Sequence, residues 1–561
     1  MMAFNSINIV IGGEAGQGLV TIGQLLAKSL TRNGYFIGVT QSYQSRVRGG
    51  HNTFIIRTGT EEILAPQEPI DLLIALDEQT ITLHRTELSP AGLMVVDSDW
   101  EVKGTACLQV PFKKLASDKF SNIVALGVVG ALLGLTEAGL GSAIEEFFGH
   151  KDHSSIQENQ KALKTAYQWT QGQVFSFQKL PPISNPARRL MINGNEAIAL
   201  GALSAGLKFF SFYPMTPSTS IGLALAAQAE AMGLIVEQAE DEIAAVNMAI
   251  GASFAGAPSM VATSGGGFAL MVEGVSLAGM TETPLVIVVA QRPAPATGLP
   301  TRTEQADLEF ILHAGHGEFP RAVFAPGSVE ECFHLIRKAF ELAESFQTPI
   351  FLLTDQFLAD AYRALEPFDL KVLSWIHPGS DGSPPSQPYF RYALTEDGIS
   401  PRLIPGKTEN LVIADSDEHT EDGHLTEDLS VRKQMVEKRL KKMEALTLKV
   451  VPPQFMGDQK PDLLLVTWGS TRGSVLEAAA KLRLQGNRVG TLCLSQVWPM
   501  VPDQFIGFLK EAKAVIAVEG NALGQFSRLI RRETGFHITK QVLRYDGLPI
   551  TPEYILKQIA G

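Results

Sequence analysis

The stretch VEQAEDEIAAVNMAIGASFAGAPSMVATSGGGFAL (residues 236–270) decides the fold of the chain. Four acids stand between residues 237 and 242, and no charged side chain follows until Glu273. Small residues dominate the predicted helix DEIAAVNMAIGASFAG, and acids in a first turn suit the helix dipole. A helix and strand with no charges along such a length predict an α/β unit that is buried on most sides.

The neutral run implies that the acid nearest the apolar face lies in a low dielectric. A carboxyl group in such surroundings has a raised pKa and tends to share a proton. The glycines of TSGGGFALM, between a predicted strand and helix, let a ligand or a neighbouring chain approach the backbone. The pattern fits either a buried helix with ordinary N-terminal acids or a site where one acid does chemistry.

The composition describes a globular chain that is too long for one core. It has 561 residues, 45% hydrophobic and 19% charged, which predicts several domains. A net charge of -12 argues against nucleic-acid binding. No apolar run reaches the roughly 18 residues that span a membrane, and the N-terminus lacks a basic signal region, so we expect a cytoplasmic protein. The cysteines form no C-x-x-C pair, which disfavours an iron–sulfur cluster or a metal site on this chain: Cys107, Cys332 and Cys493.

Alternating strands and helices predict an α/β class with three domains and mostly parallel sheets. We place a first domain at residues 1–180, a proline-rich linker at 181–189 and a second domain at 190–370. Residues 371–457 predict an irregular, solvated connection with one basic helix. The last domain covers residues 458–561.

The helix DEIAAVNMAIGASFAG resembles the glutamate-containing helix in the pyrimidine-side domain of thiamine-diphosphate enzymes. In that family the glutamate hydrogen-bonds N1′ of the aminopyrimidine, so that the 4′-imino group can remove the thiazolium C2 proton. The register E-x-A-A-x-x-M-A-x-G gives this catalytic role to Glu242. The resemblance also implies cofactor contacts at Gly265 and Gly266, and it leaves the other acids to cap and solvate the helix.

The stretch FYPMTPSTS resembles the Y-P-I-T-P-S motif in the α subunits of 2-oxoacid:ferredoxin oxidoreductases. Met215 stands where isoleucine is usual, which is an apolar exchange. The resemblance implies that Tyr213 and Thr216 face the substrate. A structural alternative for Thr216 is a helix cap after a proline turn.

The stretch GLPTRTEQADL resembles the T-R-T-x-Q segment of the same family, in which arginine and threonine contact the 2-oxoacid. The matching residues are Arg302 and Thr303. An arginine fork suits a carboxylate bidentately. The alternative for Arg302 is a surface ion pair.

The N-terminal stretches GGEAGQGLVTIGQLLAKSL (residues 12–30) and SYQSRVRGGH (residues 42–51) resemble the γ subunit of the same family. Glycines between a strand and a helix suit phosphate at the helix N-terminus. Gly13, Gly16 and Gly18 are therefore candidates for coenzyme A binding or for tight strand–helix packing. A nicotinamide fingerprint needs an acid about 20 residues further on, and no acid occurs there.

Two parts of a complete thiamine-diphosphate oxidoreductase are missing from the sequence. No G-D-G…N magnesium signature and no cysteine cluster occur. The resemblance therefore implies a β-subunit partner that carries the diphosphate-side domain, Mg²⁺ and an iron–sulfur cluster. Thiamine diphosphate would be shared within a heterodimer or a dimer of heterodimers. Coenzyme A would be a substrate and ferredoxin the acceptor.

The resemblance as a whole describes a γ–α fusion whose last domain is related to the transketolase C-terminal domain. It implies oxidative decarboxylation of a 2-oxoacid, with 2-oxoglutarate favoured, to acyl-CoA, carbon dioxide and reduced ferredoxin. Two alternatives stay open. HAGHGE places His316 in a loop like that of a phosphohistidine in an acyl-CoA ligase subunit, and a non-catalytic scaffold paralogue is the other.

Overall fold

The computed structural model describes residues 6–43, 50–103, 106–149, 153–175, 177–376 and 388–560. The chain folds into two compact units. The first comprises Met1–Ile192, Ala361–Phe368 and Thr551–Tyr554; the second comprises Asn193–Asp360, Asp369–Ile550 and Ile555–Gly561. The described residues form three sheets in which parallel strand pairs outnumber antiparallel ones, which confirms the predicted α/β class; the antiparallel pairs are concentrated in the first sheet. Within those residues no helix combines the length and the apolarity needed to cross a bilayer.

The elements up to residue 192 include three strands in a row and, later, four helices in a row. In chain order they are β1 (Ser6–Glu14), α1 (Leu19–Arg32), β2 (Phe36–Ser42), β3 (His51–Gly59), β4 (Ile70–Ala75), α2 (Glu78–His84), β5 (Leu88–Asp97), β6 (Cys107–Val110), α3 (Phe112–Leu115), α4 (Ser121–Leu133), α5 (Glu137–Phe148), α6 (His153–Gln171) and β7 (Leu190–Ile192).

The remaining elements mostly alternate between strands and helices, with longer gaps. They are α7 (Gly194–Ser204), β8 (Phe209–Phe212), α8 (Thr219–Ala226), α9 (Ala229–Met232), β9 (Ile235–Gln238), α10 (Glu242–Phe254), β10 (Ser259–Thr263), α11 (Gly265–Met280), β11 (Leu285–Gln291), α12 (Leu308–His313), β12 (Ala322–Phe324), α13 (Val329–Phe346), β13 (Pro349–Asp355), α14 (Gln356–Asp360), β14 (Tyr362–Leu365), α15 (Leu429–Thr447), β15 (Gln454–Gly457), β16 (Leu463–Trp468), α16 (Arg472–Leu484), β17 (Val489–Leu494), β18 (Gln496–Trp498), α17 (Ile506–Glu511), β19 (Ala514–Glu519), α18 (Gln525–Thr534), β20 (Lys540–Leu543) and α19 (Pro552–Ala560).

The first unit is built on an eight-stranded sheet in the order β6-β5-β4-β1-β3-β2-β14-β7. Its central strand β1 is buried along SINIVIGG and pairs parallel with β4 and antiparallel with β3. The backbone reverses before α1 at Gly18 and after it at Gly34, where φ is 75° and 83°. Glycine adopts this left-handed conformation without a Cβ clash.

The edge of this sheet differs from the domain boundaries that the sequence predicts. Both β7 and β14 belong to it, although they were placed within the predicted domain at residues 190–370. Each is only three or four residues long, which is too short for the period-2 pattern of a strand to stand out. Each compact unit therefore consists of several separate stretches of the chain, whereas the sequence suggests a single linker between domains.

The second unit contains a seven-stranded sheet, β18-β12-β13-β11-β10-β8-β9, and a five-stranded sheet, β15-β17-β16-β19-β20. Neighbouring strands are parallel except at β18 and β15. One hydrophobic core joins residues of both sheets, among them Val289, Phe351, Val466 and Trp468. The two predicted domains after residue 190 accordingly share a core.

The prediction of a solvated connection between residues 371 and 457 is wrong for α15. Lys438 and Lys442 of this helix are 2% and 1% exposed. Both form ion pairs with the buried carboxylate of Glu282. Arg391 adds hydrogen bonds to the Glu282 carbonyl (2.8 Å) and the Gln347 side chain (2.9 Å). Charged side chains can be buried here because each one contacts a partner. The charge-rich sequence of the helix gives no sign of these partners.

Candidate active site

The site residues predicted between 213 and 303 lie at the carboxyl edge of the seven-stranded sheet. The motif FYPMTPSTS follows β8, the acids of residues 237–242 end β9 and open α10, and the glycines of residues 265–267 follow β10. The T-R-T segment lies in the loop after β11. Open, mostly parallel sheets bind their ligands in loops at this edge.

Glu242 is the first residue of α10, and the preceding residue caps the helix. The Asp241 carboxylate accepts a hydrogen bond from the Ala244 N–H at 2.7 Å. Glu237 and Glu240 are exposed, whereas Glu242 is only 3% exposed. The structure thus separates one buried acid from a cap and two solvated acids.

The Glu242 carboxyl group has an atom without a partner. Its Oε1 is buried and makes no hydrogen bond with any described residue. Burial raises the pKa of Glu242; a backbone hydrogen bond lowers it, and the charge of Asp241 raises it again. A Cβ at Gly267 would lie 2.4 Å from this oxygen and 2.2 Å from the hydroxyl of Thr263, so only glycine fits there. The result is a carboxyl group that tends to keep its proton.

The loop that carries Thr216 is held by two side chains. The Arg292 guanidinium donates to the Thr216 carbonyl oxygen at 2.6 Å. The Asn195 amide donates to the Pro217 carbonyl oxygen at 2.8 Å. Thr216 remains partly exposed and Tyr213 is 40% exposed, so both side chains can be reached from outside this loop.

Thr303 and Arg302 differ in their surroundings. The Thr303 hydroxyl donates to Asp355 Oδ1 and accepts from the Phe357 N–H, both at 3.2 Å. Thr303 is 9% exposed, and its hydroxyl is already engaged in these two hydrogen bonds within the protein. Arg302 is partly buried, and its N–H donates to the Leu299 carbonyl at 3.1 Å. Substrate contacts of these two residues stay predictions.

Two acids of the same loop have strongly raised pKa values. Burial raises the pKa of Asp307 to about 6 against the opposing charge of Arg292. Burial and the charge of Asp307 raise the pKa of Glu304 to about 6. A Cβ at Gly265 would lie 2.4 Å from the Asp307 carboxylate, whereas one at Gly266 would meet only a carbonyl oxygen at 3.5 Å. The first glycine serves packing and the second leaves open space.

Comparison with known proteins places this arrangement in a family. Residues 200–438 match the family described as pyruvate flavodoxin/ferredoxin oxidoreductase, thiamine diP-binding, and residues 8–169 match that described as pyruvate ferredoxin/flavodoxin oxidoreductase. The α subunit of a 2-oxoacid:ferredoxin oxidoreductase from a Sulfolobus species is 32% identical over 96% of this chain and 94% of its own length. The chain belongs to the 2-oxoacid:ferredoxin oxidoreductase family.

Other members of the 2-oxoacid:ferredoxin oxidoreductase family are similar to it. The 2-oxoglutarate synthase subunit KorA of Archaeoglobus fulgidus is 33% identical over 66% of this chain and 98% of its own length. A solved 2-oxoglutarate:ferredoxin oxidoreductase from Magnetococcus marinus, with 2-oxoglutarate, coenzyme A and succinyl-CoA bound, is 31% identical. It has a TM-score of 0.93 over 99% of both chains. The chain is therefore a subunit of an oxidoreductase of this family.

Thiamine diphosphate is the cofactor of the matched family domain, and the carboxyl edge suits its pyrimidine. Two buried polar atoms there, Glu242 Oε1 and Ser264 Oγ, have no hydrogen-bond partner among the described residues. A Cβ at Gly266, two residues from Ser264, would meet only one carbonyl oxygen within 4 Å, so the backbone there borders open space. No group of three or more His, Cys, Asp or Glu side chains in the described part of the chain could hold a metal ion.

In the glycine loop of the first unit, glycine is required at some positions by the backbone conformation and at others by close packing. Gly16 and Gly18 have φ values of 102° and 75°. A Cβ at Gly13 or Gly18 would lie 2.5 Å from a neighbouring side-chain amide, while one at Gly16 would meet nothing within 4 Å. Gly16 alone of the three therefore faces space that a ligand could use. Residues 44–49, with both arginines of SYQSRVRGGH, lie outside the described residues.

The histidine of HAGHGE has an ordinary structural environment. His316 Nδ1 lies 3.2 Å from the hydroxyl of Ser276, which also accepts from the His316 N–H at 2.8 Å. These contacts hold a loop turn in place. Membership of the oxidoreductase family favours the redox function over the acyl-CoA ligase alternative.

Sequence reasoning missed Arg292, Asp307, Asn195 and Gly267 at this edge. Arg292 had a usable signal, because it directly follows the apolar strand TPLVIVVAQ and a charge at that point must lie at the carboxyl edge. Asp307 lies within the quoted GLPTRTEQADL segment but had no distinguishing pattern. The contacts of the other two residues depend on distant parts of the chain.

Proposed function

We propose that this subunit catalyses the coenzyme A-dependent oxidative decarboxylation of 2-oxoglutarate, in an active site that it shares with a β subunit. The products are an acyl-CoA, carbon dioxide and reduced ferredoxin. The observation that carries the proposal is the buried Oε1 of Glu242, which has no hydrogen-bond partner among the described residues. The substrate is supported by relatives whose names specify 2-oxoglutarate.

Glu242 is assigned to proton exchange with the pyrimidine of the cofactor. A carboxyl group with a raised pKa can offer a proton to a ring nitrogen and take it back. Burial excludes water that would otherwise compete for this proton. Thiamine diphosphate, when bound, supplies the carbon nucleophile and takes up the electrons released on decarboxylation.

The substrate is assigned to the loops on either side of this carboxyl group. Thr216 and Tyr213 offer hydroxyl groups from one loop, and Arg302 and Thr303 belong to the other. A dicarboxylate such as 2-oxoglutarate suits an arginine, whose planar fork binds a carboxylate through two parallel hydrogen bonds. Arg292 acts as a positioning residue through the Thr216 carbonyl.

The β subunit is assigned everything that the sequence lacks. It carries the diphosphate-side domain with Mg²⁺ and an iron–sulfur cluster, because this chain has no G-D-G signature and only three separated cysteines. The two chains form a heterodimer or a dimer of heterodimers, and ferredoxin accepts the electrons. Coenzyme A is assigned to the loop of Gly13, Gly16 and Gly18, with Gly16 nearest the ligand.

A viologen-reduction assay tests the proposal. It is run with 2-oxoglutarate, thiamine diphosphate, Mg²⁺ and coenzyme A, on this chain alone and on the chain co-expressed with the product of the neighbouring gene. We expect activity only in the pair, dependent on coenzyme A, with pyruvate a poorer substrate. Activity of the isolated chain would refute the shared site, and a pyruvate preference would refute the substrate. A well-formed complex that reduces no acceptor with any 2-oxoacid would support the scaffold alternative.

A further inference from the structure

A groove of about 610 Å³ opens on the first unit beside the second half of α1. Its walls come from α1, from the end of α5 and from the segment that leads into β7. The volume lies in the range of small-molecule sites, roughly 300–1,000 Å³. Neither the glycine loop nor the carboxyl edge described above contributes to this groove.

Four cations line the groove in a chain whose net charge is -12. Lys28 and Arg32 lie one turn apart on α1 and share a single carboxylate, that of Glu146. Arg188 is exposed and forms no ion pair or hydrogen bond with any described residue. Arg189 is the fourth. We call this set, Lys28, Arg32, Arg188 and Arg189, the basic groove.

Arg189 is held in place from two sides. Its guanidinium carbon lies 3.8 Å from the centroid of the Phe36 ring, and its Nη1 donates to the Gly34 carbonyl oxygen. The Nε of the same side chain is buried and has no hydrogen-bond partner among the described residues. A fixed guanidinium loses little entropy when it binds an anion.

Among the described residues, a single carboxylate, that of Glu146, pairs with any of the four cations of the basic groove. Burial lowers the pKa of Lys28, and the neighbouring charge of Arg32 lowers it further. A simpler role for Lys28 and Arg32 is to complement the negative, C-terminal end of the α1 dipole. Arg188 and Arg189 lie outside any helix, so that explanation does not cover them.

We propose that the basic groove binds a phosphorylated small molecule that carries at least two negative charges and an apolar or aromatic group. Lysine and arginine side chains bind phosphate through charge-assisted hydrogen bonds. Phe147, which is 38% exposed, and the side chains of Leu190 and Met191 give the groove an apolar wall. This site does not depend on the proposed coenzyme A site.

The two anion sites are separated along α1. Gly18 precedes this helix, and Arg32 is its last residue. At about 1.5 Å per residue, the length of the helix places roughly 20 Å between its ends. One phosphorylated ligand at the glycine loop therefore cannot account for the cations of the basic groove unless it spans that distance.

Isothermal titration calorimetry on the full chain, with saturating coenzyme A present throughout, tests the proposal. The probes are inorganic pyrophosphate, ATP without metal, and adenosine. We expect both anions to bind, ATP more tightly than pyrophosphate because of the apolar wall, and adenosine not to bind. The double variant K28Q/R188Q should weaken ATP binding at least tenfold, because it removes two of the four cations.

The matched control is K164Q, which removes an exposed lysine of α6 in the same unit. It should bind ATP as tightly as the unaltered chain, and circular dichroism should show all variants folded. Unchanged affinity in K28Q/R188Q or an equal loss in K164Q would each overturn the proposal. So would the absence of ATP and pyrophosphate binding while coenzyme A is saturating.

Discussion

Arg292 donates a hydrogen bond from its guanidinium to the carbonyl oxygen of Thr216, over 2.6 Å. The bond joins the loop after β11 to the loop after β8, at the carboxyl edge of the sheet. Arg292 is 9% exposed, and the nearby Asp307 opposes the fall in its pKa that burial causes. A buried cation thereby fixes the loop on which a proposed substrate residue lies.

Replacing Arg292 by lysine is expected to lower kcat/KM for 2-oxoglutarate by about 10- to 100-fold, because small displacements of a positioned group cost this much. Lysine keeps the charge but lacks the planar fork. Steady-state kinetics of the assembled complex measures the change, with R528K on the exposed face of α18 as control. A rise in KM alone, with kcat unchanged, would mean that Arg292 aids only ground-state binding.

The variant E242Q is expected to lower turnover by about 100- to 10,000-fold, the range for loss of a positioned acid or base. Glutamine has a similar shape but cannot exchange the proton. E240Q, which changes an exposed acid two residues away, should keep full activity. Thermal unfolding should show that E242Q assembles and folds normally. Near-normal turnover of E242Q would remove Glu242 from the mechanism.

Asp307 should give the stability a marked pH dependence. Its pKa is raised from 3.8 to about 6 in the folded chain, so its contribution is fully present below the unfolded pKa. That contribution is lost as the pH rises through about 6. In the unaltered chain the free energy of unfolding should fall by on the order of 3 kcal/mol over this pH range, and the variant D307N should lack this fall. Urea unfolding from about pH 4 to pH 7 measures this difference; parallel curves for the two proteins would contradict the shift.

Thr303 allows its structural and substrate roles to be separated. T303V removes the hydroxyl that donates to the buried Asp355 carboxylate and accepts from the Phe357 N–H. Asp355 keeps the hydrogen bond from the Leu358 N–H, so the expected loss in unfolding free energy is that of an ordinary hydrogen bond, about 0.5–1.5 kcal/mol. T303S keeps the hydroxyl and should lose less. If T303V changes KM for the 2-oxoacid while leaving the urea midpoint unchanged, the substrate role predicted from the T-R-T motif is supported instead.

Glu282 is expected to hold α15 in place. Burial alone would raise its pKa, but Lys442, Lys438 and Arg391 hold it well below the usual range. Its contribution is therefore present above the unfolded pKa and lost as the pH falls through the folded one. E282Q should destabilise the chain by about 3–5 kcal/mol, because it leaves buried lysines unpaired. E318Q, at an exposed position, is the control; equal midpoints in both variants would refute the role.

The sequence predicted well those features that local patterns encode. The buried acid at the start of α10 followed from a neutral run downstream of Glu242, and the α/β class followed from the alternation of strands and helices. The glycines after β10 were recognised as a group, but the contacts differ: Gly267 meets the Glu242 carboxyl and Gly265 meets Asp307. Spacing alone cannot divide such roles, because they depend on side chains from other loops.

Contacts between residues far apart in the chain could not be predicted from the sequence for a related reason. The sequence of α15 predicts a basic, solvated helix, but its buried Lys438 pairs with Glu282, which lies 156 residues away. The link between Arg292 and Thr216 spans 76 residues. Neither pair has a local signature, so hydrophobic periodicity carries no information about them.

The position of β14 in the first sheet has a practical consequence for divided versions of this chain. A fragment that stops near residue 180 would lack β7 and β14, and the backbone N–H and C=O groups of β2 that pair with β14 would be left bare. Bare strand edges promote association with other chains. Such a fragment should precipitate on expression, and a synthetic peptide of residues 361–368 should restore its solubility by pairing with that edge.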